Sequence, residues 1–398
     1  MQKCKVCLSD TFQFSHENLN MQVPMLYPLN GNLDLYCCMT CGFVANLTSN
    51  TDNDYVNYYS LLNKHSSRAS KDLVDEDRGY FDSLIKHIVS TTGIRLEDSS
   101  ILDYGAGANI FGELCLTYGA QQIVNYDVGM ESLGDQKFDL VVSTHCFEHL
   151  IDPLGEIRKL SQFVSDGGIL AIATPDISGY PKCYYGPYNQ FDLEHINHFS
   201  PSSMTRLFTE AGLHVVAVRQ GERRVAKSLA YSDLLVIARN IQDPDNKVLE
   251  IEKFNPDDFL NTFLSYQEIE FDKVKEDISD WLLKVKQVPK AITVFYGLSS
   301  YAFRVIAFLR RANLLDKIDY FADSDVRLSS MYMIPGKKIL SRTEFDQLIR
   351  SDSQTISRSQ VFIAIASVNS SRIVEMFESE PNLEHCVVKV IGPSTQNR

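Results

Sequence analysis

Short apolar runs alternate with longer polar stretches through the middle of the chain. Each run is three to five residues long and consists mainly of Ile, Leu, Val and Ala. Continuous apolar runs of this length are typical of strands that are buried on both faces of a parallel sheet. The runs lie at residues 101–103, 123–126, 140–142, 169–172, 215–218 and 234–238. They predict an α/β domain over residues 98–242, in which the last two runs form the closing pair of the sheet.

A helical periodicity follows this domain. Asn255 can cap a helix that has Pro256 at its first position, and apolar residues then recur every three or four residues up to Val285. This spacing predicts a helical linker over residues 243–288 with one apolar face. A second α/β domain is predicted over residues 289–398. Its strand-like runs are at 292–296, 318–322 and 361–365, and its first helix is at 301–309.

The composition limits the function without changing this picture. A formal net charge of −13 argues against nucleic acid as the main partner, because a polyphosphate is repelled in the absence of a large basic patch. The short basic cluster at 222–224 is interpreted as part of a loop. No apolar run approaches the ~18 residues of a membrane span, and the first residues lack the apolar stretch of a secretory signal. We therefore expect a cytoplasmic protein that acts on a small molecule, without a nucleic acid or membrane partner.

Cysteines are concentrated near the amino terminus. Five of the nine fall within the first 41 residues, and in a reducing compartment such clustering indicates metal binding rather than disulfides. They include two Cys-x2-Cys pairs: Cys4 with Cys7, and Cys38 with Cys41. Two such pairs can occupy the four corners of a tetrahedral zinc site, and Cys37 is an alternative ligand. We expect a zinc-binding domain over residues 1–50 whose closed, structural site has no open position for chemistry.

A glycine-rich turn follows the first strand of the central domain. The segment 101–109 runs from that strand through Gly105 and Gly107 to the start of a helix. The missing side chains allow the backbone to approach a ligand, and the free N–H groups at a helix start can bind it. A dinucleotide-binding fingerprint requires a third glycine three residues after the second. The residue at that position is Ile110, so the turn disfavours NAD.

The segment instead resembles the first motif of the class I S-adenosylmethionine-dependent methyltransferases. The resemblance implies that Asp103 holds the amino group of the cofactor through bound water or backbone. It also implies that Gly105 and Gly107 contact the methionine moiety. Asn109 stands in place of the usual last glycine of the motif.

Later segments resemble further motifs of the same family, in the same order. Asp127 follows the second strand and can bind both ribose hydroxyls, and residues 138–153 and 160–175 resemble the next two motifs. His145 lies at the carboxyl end of its strand, where open α/β sheets bind ligands, and is a candidate cofactor or substrate contact. The motifs together imply a Rossmann-like methyltransferase fold. Only about eleven residues separate Asp127 from Phe138, where family members usually have another helix and strand.

Glu148 and His149 follow the fourth strand of the central domain. For both we favour a structural role, in which they fix the loop after that strand. They are not among the predicted catalytic residues.

Polar and aromatic side chains are dense in residues 184–200, between the fifth strand and the next helix. Glu194 and His195 form an adjacent carboxylate and imidazole, and a histidine beside a carboxylate is a suitable general base. The order of Glu194, His195 and His198 is not that of a zinc protease. We predict that His195 and Glu194 are catalytic. His198 is a candidate substrate contact, with bracing of the following helix as the alternative.

The chain as a whole resembles the nucleotide-sugar C-methyltransferases of deoxysugar biosynthesis. The resemblance covers nearly the whole chain and includes the tyrosine-rich stretch at 55–60. In that family the motif histidine deprotonates carbon 3 of a 4-keto sugar, and the resulting enediolate attacks the methyl group of the cofactor. The resemblance implies that His195 is the base and Glu194 its orienting partner. It also implies that Tyr58 or Tyr59 contacts the substrate.

The expected architecture is α/β, and two alternative functions remain open. We expect an N-terminal zinc-binding domain, a helical connector over residues 51–97, a Rossmann-like methyltransferase domain and a second Rossmann-like domain at the C-terminus. One alternative is O- or N-methylation of another small metabolite, since Phe191 or Asp192 replaces a tyrosine that the family often has before its Glu-His pair. The alternative from another class is a non-catalytic zinc-containing binding protein with a degenerate methyltransferase fold, suggested by Asn109 and the short segment after Asp127.

Overall fold

The computed structural model describes most of the chain, in two compact units. The described residues are 3–10, 12–16, 25–26, 29, 34–62, 71–127, 130, 133–182, 190–191, 194–226, 229–241, 249–289, 291–298, 300–324, 332–334, 336–351, 361–365, 370–379 and 386–392. The first unit comprises Met1–Glu17, Asp34–Leu47 and Thr51–Phe263. The second comprises Asn18–Leu33, Thr48–Asn50 and Leu264–Arg398.

The helices and strands succeed one another as follows. In chain order they are β1 (Phe12–His16), β2 (Met25–Leu26), β3 (Asp34–Cys38), β4 (Val44–Leu47), α1 (Asp52–Leu62), α2 (Lys71–Thr92), β5 (Ser100–Tyr104), α3 (Ile110–Thr117), β6 (Gln122–Tyr126), β7 (Phe138–Thr144), α4 (Pro153–Phe163), β8 (Val164–Pro175), β9 (Asn197–His198), α5 (Pro201–Glu210), β10 (His214–Ala226), β11 (Leu229–Arg239), α6 (Pro256–Lys286), β12 (Ile292–Tyr296), α7 (Ser300–Arg311), β13 (Tyr320–Asp323), β14 (Tyr332–Met333), β15 (Lys338–Ser341), α8 (Arg342–Ser351), β16 (Val361–Ile365), α9 (Ser370–Ser379) and β17 (Val387–Val390).

The first unit is built around a six-stranded sheet in the order β10–β11–β8–β7–β5–β6. The strands from β8 to β6 are parallel, whereas β11 is antiparallel to β8 and β10 is antiparallel to β11. Alternate residues of the strands enter two buried clusters, so that Ile101 belongs to one cluster and Leu102 to the other. The sheet is therefore covered on both faces, as the apolar runs predicted.

The strand β6 lies at the edge of this sheet. Between Asp127 and Phe138, the residues that the structure describes contain no further strand. The short segment noted in the sequence therefore corresponds to a sheet that ends at β6. The carboxyl ends of β5, β6 and β7 remain side by side, and open α/β sheets bind ligands at such ends.

A four-stranded sheet, β1–β3–β4–β9, connects the amino terminus to the central domain. The short strand β9 pairs with Val44 and Ala45 of β4. The N–H of Asn46 donates a hydrogen bond to the carbonyl of Ile196, with a distance of 2.9 Å between nitrogen and oxygen. The candidate zinc-binding segment and the candidate catalytic segment consequently share one sheet.

The start of α6 uses the cap that the sequence predicted, and α5 begins with a cap of the same kind. The side-chain oxygen of Asn255 accepts a hydrogen bond from the N–H of Asp257 at 3.1 Å, at the beginning of α6. Ser200 accepts one from the N–H of Ser203 at 3.3 Å, ahead of Pro201 in α5. These bonds satisfy donors that a helix start leaves without a partner.

The second unit contains a five-stranded parallel sheet in the order β15–β13–β12–β16–β17. Its first strand lies at the centre, as in Rossmann-like folds. The sequence predicted β12 and β16 with their observed bounds and placed the start of β13 two residues too early. It missed β15 and β17, because these strands are short and carry lysines. Among the described residues, no helix is long and apolar enough to cross a membrane.

Candidate active site and metal centre

The four predicted metal ligands lie together. The sulfur atoms of Cys4, Cys7, Cys38 and Cys41 all lie within 4.8 Å of one another. The Sγ atoms of Cys4 and Cys41 are 3.8 Å apart, and those of Cys7 and Cys38 are 3.5 Å apart. Zinc–thiolate bonds of about 2.3 Å give a tetrahedron with an edge of about 3.8 Å. The donor set therefore fits zinc, and the alternative ligand Cys37 is not part of the group.

The electrostatics of this cluster also fit a cation. The neighbouring sulfurs of Cys38 and Cys4, together with burial, raise the pKa of Cys41 above its usual range. Closely spaced thiolates that are withdrawn from water require a compensating positive charge.

Gly42 follows Cys41 in the chain with φ +76°, and a Cβ there would lie 2.7 Å from the carbonyl oxygen of Phe254. Only glycine fits this turn without strain.

The glycine turn after β5 has the backbone conformation that its sequence suggests. Gly105, Gly107 and Asn109 have φ values of +79°, +50° and +60°. Asparagine adopts this left-handed conformation more readily than most residues, so Asn109 can replace the last glycine of the motif. The N–H groups of Gly105 and Ala106 donate to the carbonyl of Tyr126 at 2.8 and 3.2 Å. These bonds hold the turn against the end of β6.

Two acidic residues flank this turn. Asp103 is 1% exposed, and neither of its carboxylate oxygens has a hydrogen-bond partner among the described residues. Burial and the charge of Asp127 raise the pKa of Asp103 to about 7. Asp127 is partly exposed just after β6. A buried carboxyl group without a partner, beside a glycine turn, fits the cationic amino group of S-adenosylmethionine.

His145 occupies a strained backbone position at the end of β7, with φ +51°. Its Nε2 lies 3.1 Å from the hydroxyl of Tyr80 and 3.3 Å from Oδ1 of Asp233. Its Nδ1 lies 3.4 Å from Oε1 of Glu148. Burial and Arg223 disfavour protonation, but the two carboxylates outweigh them and raise the pKa of His145 above its ordinary value. Strain of this kind in a charged cluster is common at functional sites.

Glu148 is a buried carboxylate among histidines, with 2% of its surface exposed. Its Oε1 lies 3.9 Å from Nε2 of His149. Burial opposes ionisation, but the hydrogen bond with His145 and the proximity of His149 lower the pKa of Glu148 to about 2. Its backbone carbonyl accepts a hydrogen bond from the N–H of Ile196 at 2.8 Å. The backbone of Glu148 thus ties its loop to Ile196, and its side chain places a negative charge in the site.

The predicted catalytic pair lies beside a tyrosine of α1. The hydroxyl of Tyr58 donates to Oε1 of Glu194 at 2.7 Å. The ring of His195 packs against that of His149, with 4.9 Å between centroids. Elements that are distant in sequence therefore bring these four side chains together. The side chain of Tyr59 lies outside the described residues.

His198 is enclosed rather than presented to a ligand. Its side chain is completely buried. Its Nε2 lies 3.2 Å from Nδ2 of Asn46, and its Nδ1 lies 3.2 Å from the hydroxyl of Tyr180. The ring centroid lies 4.1 Å from that of Phe191, and burial lowers the pKa of His198 well below its ordinary value. This placement favours the bracing alternative over the predicted substrate contact.

Three residues around His145 were not found by sequence reasoning. The hydroxyl of Tyr80 donates to Asp233 at 3.0 Å, and the guanidinium of Arg223 lies 4.9 Å from the centroid of the Tyr80 ring. Arg223 also pairs with Asp77 at 2.9 Å. The cluster at 222–224 is therefore part of strand β10, and its interpretation as a loop was wrong. The sequence does place these charged residues close to apolar runs, and this was the available signal. Hydrophobic periodicity alone, however, assigns charged residues to the solvent-exposed surface.

Comparisons with known proteins address the central part of the chain. Residues 76–218 match the family described as a methyltransferase domain. No curated protein matches the sequence. Similar solved structures include a putative methyltransferase from Bacillus halodurans (12% identity, 40% of this chain and 100% of that one, TM-score 0.31). Another is the 1,6-didemethyltoxoflavin N1-methyltransferase of Burkholderia thailandensis (14% identity, 51% and 98%, TM-score 0.35).

The TM-scores of these structures are below 0.5. The family match instead agrees with independent features of this chain. It spans the glycine turn, the parallel strands from β5 to β8 and both candidate acidic residues. Residues 76–218 therefore form a class I, S-adenosylmethionine-dependent methyltransferase domain.

Proposed function

We propose that the chain catalyses the C-methylation of a nucleotide-linked keto-deoxysugar, with His195 as the general base. The observation that carries this proposal is the convergence of His195, Glu194 and Tyr58 next to the loop after β7. The substrate partner is a small molecule, and neither nucleic acid nor a membrane is required.

The loop after β7 connects the proposed base with the cofactor turn. A Cβ at Gly105 would lie 3.2 Å from Sγ of Cys146, so the glycine turn contacts this loop directly. Three residues after Cys146, His149 packs against His195. This continuity supports a site in which the base and the methyl donor are neighbours.

The chemistry requires a carbonyl beside the carbon that is methylated, because the carbonyl acidifies the C–H bond. His195 takes the proton, the C–H electron pair forms a C=C bond, and the carbonyl π electrons move to oxygen to give the enediolate. S-adenosylmethionine supplies the methyl group, whose bond to sulfur breaks as the new C–C bond forms. The carbonyl of Gln190 orients the imidazole through Nδ1, and Glu194, held by the hydroxyl of Tyr58, is the adjacent carboxylate that stabilises its positive charge.

The remaining predicted residues have supporting roles in this proposal. Asp103 holds the amino group of the cofactor, Asp127 binds the ribose hydroxyls, and Gly105 and Gly107 permit the close approach of the methionine moiety. Zinc in the Cys4, Cys7, Cys38 and Cys41 cluster is structural, since four thiolates fill its coordination sphere.

The proposal is tested by proton exchange without methyl transfer. The full chain is incubated in D2O with S-adenosylhomocysteine and a series of 4-keto-deoxysugar nucleotides, and deuterium at carbon 3 is measured by mass spectrometry. We expect enzyme-dependent exchange that falls at least about 100-fold in His195→Gln, which is the lower range for loss of a general base. His87→Gln, a histidine of α2 outside the site, is the matched control and should exchange like the wild type.

Two results would exclude this function. Absence of S-adenosylmethionine binding in calorimetry at millimolar cofactor would favour the non-catalytic alternative. Methylation of a hydroxyl or amine, without exchange at carbon 3 of any keto sugar, would favour the O- or N-methyltransferase.

A further inference from the structure

Glu148, His149 and His195 form a second group of potential metal ligands, separate from the cysteine cluster. One donor atom from each of the three side chains lies within 4.8 Å of the other two. Two imidazoles and one carboxylate are a common ligand set for Zn²⁺ and related transition-metal ions, which retain an open position in such sites.

Backbone carbonyls hold Nδ1 of both imidazoles, which makes Nε2 the nitrogen that can bind a metal. Nδ1 of His149 lies 2.9 Å from the carbonyl oxygen of Glu194, and Nδ1 of His195 lies 3.2 Å from that of Gln190. A carbonyl oxygen only accepts, so Nδ1 carries a hydrogen in each ring, and in the neutral imidazole the lone pair is on Nε2. Metal-binding histidines typically make this type of bond through the second ring nitrogen.

The carboxylate of Glu148 provides an independent indication of a cation site. Oε1 of Glu148 is shared between Nδ1 of His145 at 3.4 Å and Nε2 of His149 at 3.9 Å. Its Oε2 is buried and has no hydrogen-bond partner among the described residues. A carboxylate oxygen is costly to bury without a partner, and a bound cation would supply one.

We infer that Glu148, His149 and His195 bind a divalent transition-metal ion. The bound ion prevents His195 from acting as the general base. Metal–ligand bonds of about 2.0 Å place tetrahedral donors about 3.3 Å apart, against 3.9 Å between Glu148 and His149 and no more than 4.8 Å from either of them to His195. The ion occupies the lone pair with which His195 would accept a proton. The loss of activity on metal binding rests on the proposed function, whereas the metal-binding site itself does not depend on that function.

The experiment titrates the zinc-loaded full chain with Co²⁺. We expect one further equivalent of metal per chain by equilibrium dialysis and elemental analysis. Its visible spectrum should be that of nitrogen and oxygen ligands, without the intense bands of cobalt thiolates. Glu148→Gln should weaken Co²⁺ binding at least tenfold, and His195→Asn should do the same. The control His87→Asn should bind like the wild type, and every variant is required to retain its zinc and its S-adenosylmethionine affinity.

The outcomes separate this inference from the proposed function. Failure to bind a second equivalent at 1 mM Co²⁺ (roughly the weak limit for a useful site) would overturn the metal site while leaving carbon-3 exchange intact. A second equivalent that persists in both Glu148→Gln and His195→Asn would place the ion elsewhere and likewise overturn it. Binding with the expected ligand dependence, but in a protein that exchanges no keto sugar, would retain the site and remove only the proposed substrate. Where exchange does occur, it should fall in proportion to Co²⁺ occupancy and recover on chelation.

Discussion

At the scale of single residues, Asp103 is the candidate contact for the cofactor. Its carboxyl group is buried beneath the glycine turn without a hydrogen-bond partner among the described residues. Burial and the charge of Asp127 raise its pKa to about 7. The group is therefore largely neutral below that pH and ionised above it. Only the ionised form attracts a cationic ligand.

This ionisation predicts a pH-dependent cofactor affinity. S-adenosylmethionine is cationic at its sulfonium and amino groups, so its affinity should rise as the pH increases from 5 to 8. The increase should approach tenfold per pH unit below about pH 7 and level off above it, because binding is coupled to the loss of one proton. Calorimetry across this range measures the effect. Asp103→Asn should bind weakly with a flat profile, and a retained slope in that variant would assign the proton to another group.

At the scale of elements, the sequence predicted the strands that local apolar runs define. It missed the contacts that depend on segments distant in the chain. The apolar runs located all six strands of the central sheet, since a buried strand must be apolar on both faces. The long strands β10 and β11 extend well beyond their apolar runs, because there each strand is supported by its neighbour rather than by the core. The pairs formed by Tyr58 with Glu194 and by Tyr80 with Asp233 join elements separated by more than a hundred residues, which periodicity does not show.

The turn between β5 and α3 allows a sharp prediction at this scale. Gly105→Ala should lower the free energy of unfolding by about 1–2 kcal/mol, the cost of a side chain in the left-handed conformation, and should weaken S-adenosylmethionine binding because the new Cβ approaches Cys146. Gly79→Ala is the matched control. Gly79 lies in α2 with open space around it, so that change should be neutral or stabilise by up to about 1 kcal/mol. Chemical denaturation and calorimetry compare the two variants, and equal effects would contradict the assigned role of the turn.

At the scale of the first unit, the amino-terminal sheet is part of the candidate active site rather than an appendage. The cysteine cluster shares a buried apolar cluster with the central sheet. Asn46, beyond the second cysteine pair, donates to the carbonyl of His195 at 2.9 Å, and β4 pairs with β9 directly after it. A structural zinc ion would therefore hold the proposed base His195 in place through one continuous sheet, whereas the glycine turn is bonded to the end of β6.

Removing the zinc should consequently affect catalysis more than cofactor binding. Zinc-binding free energies of about 10–16 kcal/mol match or exceed the whole stability of a typical domain, about 5–15 kcal/mol, so the amino-terminal sheet should not persist without the ion. Cys38→Ser is expected to lose its zinc by elemental analysis, to melt at a lower temperature and to lose carbon-3 exchange, while S-adenosylmethionine affinity changes less than tenfold. Cys386→Ser, which replaces a cysteine of the second unit that is not in the metal cluster, should keep zinc and full exchange. A Cys38→Ser protein without zinc but with wild-type exchange would show that His195 is positioned independently of the metal.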